Sequence, residues 1–111
     1  MPVKQSLFLV VDDFEPMRIV TISQLRLMGV KNIVTANNGA EAMRILQSRK
    51  VDIILSDWNM PVMTGLELLK TVRAEERLSH LPFIMITAEA ERYRIEEAIA
   101  SGVSDFVGRL V

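Results

Sequence analysis

The feature that most constrains the fold is a series of short apolar runs separated by stretches long enough to hold a helix. Residues 7–11, 53–55 and 83–86 are continuously apolar. Strands of this composition are buried on both faces, which favours a parallel sheet covered by helices over a sheet with one wet face. Residues 33–36 and 103–107 are weaker strand candidates and suit the edges of such a sheet.

The stretches between the apolar runs carry helix signals. Pro16 suits a first turn, Asn38 with Glu41 predicts an N-cap and its acidic partner, and Thr64 with Glu67 matches a capping box. Helices are therefore predicted over residues 15–28, 38–48, from 65 onward and 91–101.

Helical periodicity also predicts which side chains these helices bury. The predicted buried positions are Met17, Val20, Thr21, Leu25 and Met28 in the first helix, Leu68, Leu69 and Val72 in the third, and Ile95, Ala98 and Ile99 in the fourth.

Strands and helices alternate along the whole chain, which predicts a doubly wound, flavodoxin-like α/β fold. Right-handed crossovers lead most simply to a five-stranded parallel sheet in the order 2-1-3-4-5, with four helices. Residues 1–111 are expected to form one domain. No helix follows the last predicted strand, so we expect the sheet face under the first helix to be half covered and to favour self-association or low stability.

Three carboxylates are predicted to meet at one edge of this sheet. Asp12 and Asp13 follow the first strand and Asp57 follows the third, and these two strands are neighbours at the point where the strand order reverses. Clustered carboxylates repel one another unless a cation lies among them, so the arrangement predicts a hard metal ion. The alternatives are that the Asp pair caps the first helix and that Asp57 is a turn residue.

Two further polar residues follow predicted strands. Thr87 ends the fourth strand, where its hydroxyl is able to donate to a phosphoryl oxygen, and Arg109 is the cation nearest the end of the fifth. An ordinary strand-end threonine and a solvated terminal arginine are the alternative interpretations. His80, the single histidine, is interpreted as a solvated loop residue rather than a phosphohistidine.

Composition excludes several classes of protein. The formal net charge is −1, with 13 basic and 14 acidic residues and no basic run, which argues against nucleic acid and anionic membranes as partners. Cysteine is absent, which excludes disulfides and zinc thiolate sites. The first apolar run is too short for a signal peptide or a membrane span, so a cytoplasmic protein is expected.

Four ordered motifs follow the predicted strands and begin the third helix: Leu-Val-Val-Asp-Asp at 9–13, Ser-Asp-Trp-Asn-Met-Pro at 56–61, Gly-Leu-Glu-Leu-Leu at 65–69 and Thr-Ala-Glu at 87–89. Together they resemble response-regulator receiver domains, most closely the stand-alone chemotaxis members of that family. The resemblance covers nearly the whole chain. It implies a phosphorelay protein that is not an enzyme in the usual sense, because it promotes only its own phosphorylation and dephosphorylation.

The resemblance also implies roles for the clustered residues. Asp57 is implied to accept a phosphoryl group from a phosphohistidine on a sensor histidine kinase. Asp13, the Asp57 carboxylate and the backbone carbonyl of Asn59 are implied to hold Mg²⁺, with Asp12 acting through water. Magnesium retains waters and uses few protein oxygens, which suits this sparse set of ligands.

Further positions are implied to respond to the phosphate. Thr87 would turn toward the phosphoryl group, and Phe106 would occupy an aromatic switch position. Asn59 and Glu89 would flank the phosphate and tune its lifetime. An output protein is implied to bind near the fourth helix and the fifth strand.

The sequence departs from the family pattern in three places. Residues 107–110 read Val-Gly-Arg-Leu where the family has a lysine followed by proline, so Arg109 is a doubtful substitute for that lysine. The chain is expected to lack the final helix of the family. Thr64 stands where aspartate is common.

Two alternatives to an active switch remain open. A degenerate receiver would act as an interaction scaffold that does not depend on phosphorylation. A free-standing phosphohydrolase with Asp57 as nucleophile is less favoured, because the sequence offers no cap domain and no general acid beside Asp57.

Overall fold

Parallel strands alternate with helices along the chain. The computed structural model describes residues 5–87 and 92–108. Within these ranges it does not describe the side chains of residues 87, 92–94 and 106–108. The elements are β1 (Leu7–Val11), α1 (Glu15–Leu27), β2 (Asn32–Ala36), α2 (Gly39–Ser48), β3 (Ile53–Asp57), α3 (Gly65–Ala74), β4 (Phe83–Thr87), α4 (Arg92–Ala100) and β5 (Asp105–Gly108).

The sheet has the strand order β2-β1-β3-β4-β5, and every neighbouring pair is parallel. The predicted flavodoxin-like α/β fold, with the order 2-1-3-4 and four helices, is therefore confirmed. β5 lies at the edge and pairs with β4 in a register that sets Phe106 opposite Met85. Among the described helices, none is long and apolar enough to cross a membrane.

The two faces of the sheet are covered unequally. On one face α2, α3 and α4 pack on β1, β3 and β4 in the larger core cluster. On the other face the smaller cluster contains one residue from the described helices, Leu25 of α1, packed with Phe8, Val10, Leu55 and other strand residues. Ile33, Ile53 and Ile84 pack at the edge of this second cluster and are only partly buried.

Most helix signals in the sequence correspond to real boundaries. The Asn38 side chain caps α2, the capping box of Thr64 and Glu67 begins α3, and Pro16 lies in the first turn of α1. The predicted burial of Leu68, Leu69 and Val72 is also confirmed.

The predicted buried stripes of α1 and α4 are partly wrong. Val20 is 44% exposed, Met28 is 69% exposed and Ile99 is 60% exposed. α1 reaches its face of the sheet mainly through Leu25, and α4 reaches the other face through the small side chain of Ala98. Apolar side chains to either side of those contact lines therefore remain in solvent.

Arg73, near the end of α3, joins the connections that lead into β4 and β5. Its Nη1 donates to the carbonyl oxygens of Ser79 (3.1 Å) and Leu81 (2.6 Å), and its Nε donates to that of Gly102 (2.8 Å). Partial burial lowers the pKa of Arg73, although an arginine remains charged in any such setting. One side chain therefore satisfies three backbone carbonyls that the sheet does not pair.

Replacing Arg73 with methionine should destabilise the fold by about 2 kcal/mol, because the three carbonyl oxygens lose a charged donor. The free energy of unfolding in urea measures this loss. Lys70→Met on the same helix is the matched control, since Lys70 lies in an exposed ion pair with Glu97 at 3.7 Å and its replacement should cost less than about 0.5 kcal/mol. Equal losses in the two variants would contradict the role assigned to Arg73.

Candidate metal-binding site

The ends of β1 and β3 bring the three predicted carboxylates together. Val11 pairs with Ser56 in the sheet, so the residues that follow them, Asp12 and Asp57, lie side by side at the carboxyl edge. One carboxylate oxygen from each of Asp12, Asp13 and Asp57 lies within 4.8 Å of the others. The structure thus places the three side chains in one cluster, as the strand order predicted.

Burial makes this cluster electrostatically demanding. Asp12 is 1% exposed and Asp57 is 5% exposed, whereas Asp13 is open to solvent. Two unit charges 4.8 Å apart repel by about 3 kcal/mol at an effective dielectric constant of about 20. A cation placed among the oxygens would turn this repulsion into attraction, and three carboxylates suit a hard ion such as Mg²⁺. The donor set therefore fits the predicted metal.

The loop after β1 is fixed through Asp12. The backbone amide of Asp12 donates to the carbonyl of Ala36 at 3.1 Å, and Arg18 Nη1 donates to the carbonyl of Asp12 at 2.8 Å. The backbone amide of Phe14 donates to Asp12 Oδ1 at 3.0 Å. These bonds hold the first carboxylate at the sheet edge before α1 begins.

Helix capping does not account for the Asp pair. The N-cap residue of α1 is Phe14, and no side chain accepts a capping hydrogen bond there. Asp12 instead accepts from the amide two residues ahead, which is the geometry of an Asx turn. The alternative that the pair serves only as a helix cap is therefore wrong.

The loop after β3 passes very close to Gly65. The backbone amide of Gly65 donates to the carbonyl of Trp58 at 2.8 Å, which closes the loop back onto the strand end. A Cβ at this position would overlap the carbonyl oxygen of Asp57 and come within 2.9 Å of Met85 Sδ. Only glycine allows α3 to begin this close to Asp57.

Local hydrogen bonds fix where that loop ends. The Thr64 hydroxyl accepts from the Glu67 amide at 3.2 Å, and the Glu67 carboxylate accepts from the Thr64 amide at 3.0 Å. The bond from the Thr64 amide lowers the pKa of Glu67. Thr64 therefore caps α3. Val62, two residues earlier, has a φ of 70°, which is strained for a β-branched side chain.

The structure describes some of the remaining predicted site residues fully, some by their backbone alone and some not at all. Asn59 is exposed in the loop after Asp57. Thr87 ends β4 at the same edge of the sheet, since Ile86 is the strand partner of Asp57. The backbone of Phe106 lies in β5, but the side chains of Thr87 and Phe106 fall outside the part that the structure describes. Glu89 and Arg109 lie outside the described residues. His80 is exposed in the connection between α3 and β4, as predicted for a solvated loop residue.

Sequence reasoning missed Arg18 as a residue that supports the site. Arg18 Nη1 donates to both the Asp12 carbonyl and Asn37 Oδ1, each at 2.8 Å, and so links the loops after β1 and β2. A basic residue one turn into the helix that follows a strand-end carboxylate is the signal available in the sequence.

Comparison with known proteins points to one family. The response regulator receiver domain matches residues 8–109. The chemotaxis protein CheY of Pseudomonas aeruginosa is 48% identical over 99 residues, which cover 89% of this chain and 80% of that protein. The structure of the chemotaxis response regulator CheY4 of Vibrio cholerae aligns with a TM-score of 0.86 at 33% identity, covering 96% of this chain and 88% of that one.

A further solved structure bears on the metal. The receiver domain of a sensor histidine kinase from Pseudomonas aeruginosa PAO1, described with a magnesium ion coordinated in its active site cleft, aligns with a TM-score of 0.84 at 26% identity, covering 96% of this chain and 84% of that one. Since the family match spans nearly all of the sequence and the relatives share its fold, the chain belongs to the response regulator receiver domain family.

Proposed function

We propose that this chain is a CheY-like phosphoacceptor switch in which Asp57 takes a phosphoryl group from a phosphohistidine of a sensor histidine kinase. The observation that carries the proposal is the cluster of Asp12, Asp13 and Asp57 at the carboxyl edge of the sheet. Family membership supports a two-component receiver, and the cluster supports an acceptor that has kept its acidic neighbours.

Asp57 suits the role of nucleophile because the fold holds it rigidly. It is the last residue of β3 and is 5% exposed. The hydrogen bond from the Gly65 amide to the Trp58 carbonyl closes the loop that follows it. In the proposed transfer an oxygen of the Asp57 carboxylate forms a bond to phosphorus while the bond between phosphorus and the histidine nitrogen breaks. The imidazole leaves with the electron pair of that bond and is then protonated.

Asp12, Asp13, Asp57 and the backbone carbonyl of Asn59 are the proposed holders of Mg²⁺. When bound, the ion would offset the repulsion between these carboxylates and the incoming phosphoryl group. The magnesium described in the receiver of the Pseudomonas kinase supports the choice of metal. The burial of Asp12 and the hydrogen bonds of its loop would keep the ligands in position before the phosphodonor arrives.

The proposed switch involves residues at the ends of β4 and β5. Thr87 would donate its hydroxyl to the new phosphoryl oxygens, and Arg109 would contribute a charge-assisted contact in place of the family lysine. Phe106, at the aromatic switch position, would change its conformation and so alter the adjoining surface. Asn59 and Glu89 would flank the phosphate and set its lifetime. The added charge of roughly −1.5 to −2 at neutral pH would shift the conformational equilibrium of the connection between β4 and α4.

The proposed partners follow from this switch. A sensor histidine kinase or phosphotransfer protein would supply the phosphoryl group. An output protein would bind the surface near α4, the fourth helix, and β5, the fifth strand. A cytoplasmic location is part of the same proposal. Self-association through the less covered sheet face remains a further proposal, supported by the partly buried Ile33, Ile53 and Ile84.

Acetyl phosphate with Mg²⁺ should add one phosphoryl group to the parent protein and none to Asp57→Asn, because the amide cannot act as the nucleophile. Intact-protein mass spectrometry measures the addition, and Glu76→Gln, which alters an exposed acid two residues beyond the end of α3, is the matched control. Labelling of Asp57→Asn at the level of the parent would show that the acceptor is another residue. A parent that stays unlabelled would favour the scaffold alternative.

Mg²⁺ should change the fluorescence of Trp58, which is buried beside Asp57. Asp13→Asn removes one negative oxygen from the cluster and should weaken the apparent Mg²⁺ affinity by about ten-fold or more. A fluorescence titration of parent, Asp13→Asn and the control Glu76→Gln measures the difference. An Asp13→Asn variant with the affinity of the parent would remove Asp13 from the proposed ligands.

A further inference from the structure

A groove lies at the amino edge of the sheet, at the opposite end from the carboxylate cluster. It has a volume of about 840 Å³ and is bounded by the connection from α2 into β3 and the connection from α3 into β4. The proposed phosphoryl transfer uses none of its residues. A volume of this size falls within the range of about 300–1,000 Å³ found for ligand sites.

The floor of the groove is apolar. Val51, Leu78 and Leu81 line it and are each no more than 5% exposed. They belong to the larger core cluster, so the packing of β3 and α3 fixes their positions. An apolar side chain placed against this floor would be shielded from water without disturbing the fold.

The rim of the groove is basic. Arg49, Lys50, Arg77 and His80 line it, and all four are exposed. Among the described residues of the lining Asp52 is the single acidic one, and its carboxylate already accepts a hydrogen bond from the Leu7 amide at 2.8 Å. The rim therefore presents an excess of positive charge, although the chain as a whole has a formal net charge of −1.

Part of this positive charge offsets the partial negative charge at the carboxyl end of α2. Arg77 Nη2 donates to the carbonyl of Leu46 near the end of α2 at 3.2 Å and forms an ion pair with Glu75 at 3.5 Å. Arg49 is the C-cap residue of α2, where a cation also offsets the partial negative charge of the last carbonyls. Within the residues that the structure describes, however, neither Arg49 nor Lys50 forms an ion pair. Helix compensation thus leaves exposed positive charge beside an apolar floor.

We propose that this groove binds an acidic segment of a partner protein. In the proposed complex an apolar side chain of the segment lies on the floor formed by Val51, Leu78 and Leu81, and flanking carboxylates pair with Arg49 and Lys50. Exposed cations around an apolar floor match an acidic peptide with an apolar anchor, since the charges guide association and the anchor adds affinity. A small anion fits less well, because the cations of the rim are all on exposed side chains rather than buried ones aimed at a single point.

The inference does not depend on the proposed phosphoryl transfer. The groove and Asp57 occupy opposite ends of β3, and the groove lining shares no residue with the carboxylate cluster. Binding is therefore expected in Asp57→Asn as in the parent, which separates failure of this inference from failure of the proposed function.

The test uses the 111-residue chain and a fluorescein-labelled peptide of glutamates around a central Leu-Phe pair. Amide shifts in ¹⁵N–¹H NMR should change at residues 47–53 and 77–82, and anisotropy should give the affinity. Arg49→Glu combined with Lys50→Glu should weaken binding by about ten-fold or more, and raising the ionic strength should weaken it further. Arg26→Glu combined with Arg44→Glu reverses the same number of exposed charges outside the groove and should bind like the parent.

Two altered peptides test the two parts of the proposed recognition. Serines in place of the Leu-Phe pair should lower the affinity by about ten-fold or more, because the apolar contact is lost. Lysines in place of the glutamates should abolish binding. Equal thermal stability of the two double variants would show that a loss of affinity is not a loss of fold.

Several results would overturn the inference. Absence of binding by the acidic peptide, an equal loss of affinity in both double variants, or changes in amide chemical shift centred on another surface would each contradict the proposed groove. Identical shifts produced by citrate alone at the same concentration would assign the groove to a small anion instead. Shifts at residues 47–53 and 77–82 that depend only on protein concentration would assign it to a second copy of the chain.

Discussion

Repulsion among three carboxylates governs the structure of the candidate site. Two of them, Asp12 and Asp57, are almost fully buried and lie within 4.8 Å of each other and of Asp13. Like charges held this close repel one another, and a cation placed among their oxygens would offset that repulsion. The surrounding fold is arranged to hold this unfavourable geometry, through the Asx turn at Asp12 and the close approach of Gly65 to the end of β3.

Much of the fold could be predicted because the strongest signals are local. Runs of apolar residues gave the strands to within about two residues, and caps such as Asn38 and Thr64 gave the starts of α2 and α3. The convergence of Asp12 and Asp57 followed from one topological rule, namely that strands 1 and 3 are neighbours in a doubly wound sheet. None of these inferences needed the details of side-chain packing.

Features that depend on packing could not be predicted in the same way. The exposure of Val20, Met28 and Ile99 depends on how each helix is seated on the sheet, which periodicity does not report. Arg73 satisfies carbonyls that are between 6 and 29 positions away in the chain. The basic groove arises from two connections, each of which is typical of a solvated loop when taken alone. Only the fold shows that they share an apolar floor.

The two ends of the sheet therefore carry opposite charge with different consequences. At the carboxyl edge the negative charge is concentrated, and two of its three carboxylates are buried, which suits a hard cation. At the amino edge the positive charge is spread over exposed side chains around an apolar floor, which suits a flexible acidic segment. Because β3 reaches both edges, the carboxylate cluster and the basic groove lie at opposite ends of the same strand.

Paramagnetic Mn²⁺ offers the most direct measurement of the central claim, since it accepts the same oxygen ligands as Mg²⁺ and broadens only nearby NMR signals. At low Mn²⁺ concentration, the account predicts that the amide signals of Asp12, Asp13, Asp57 and Asn59 broaden first and recover when excess Mg²⁺ is added. Signals from Leu78 and Leu81 at the opposite edge should stay sharp. Broadening that is uniform, or that begins at other acidic residues, would contradict the claim that these carboxylates form a metal site.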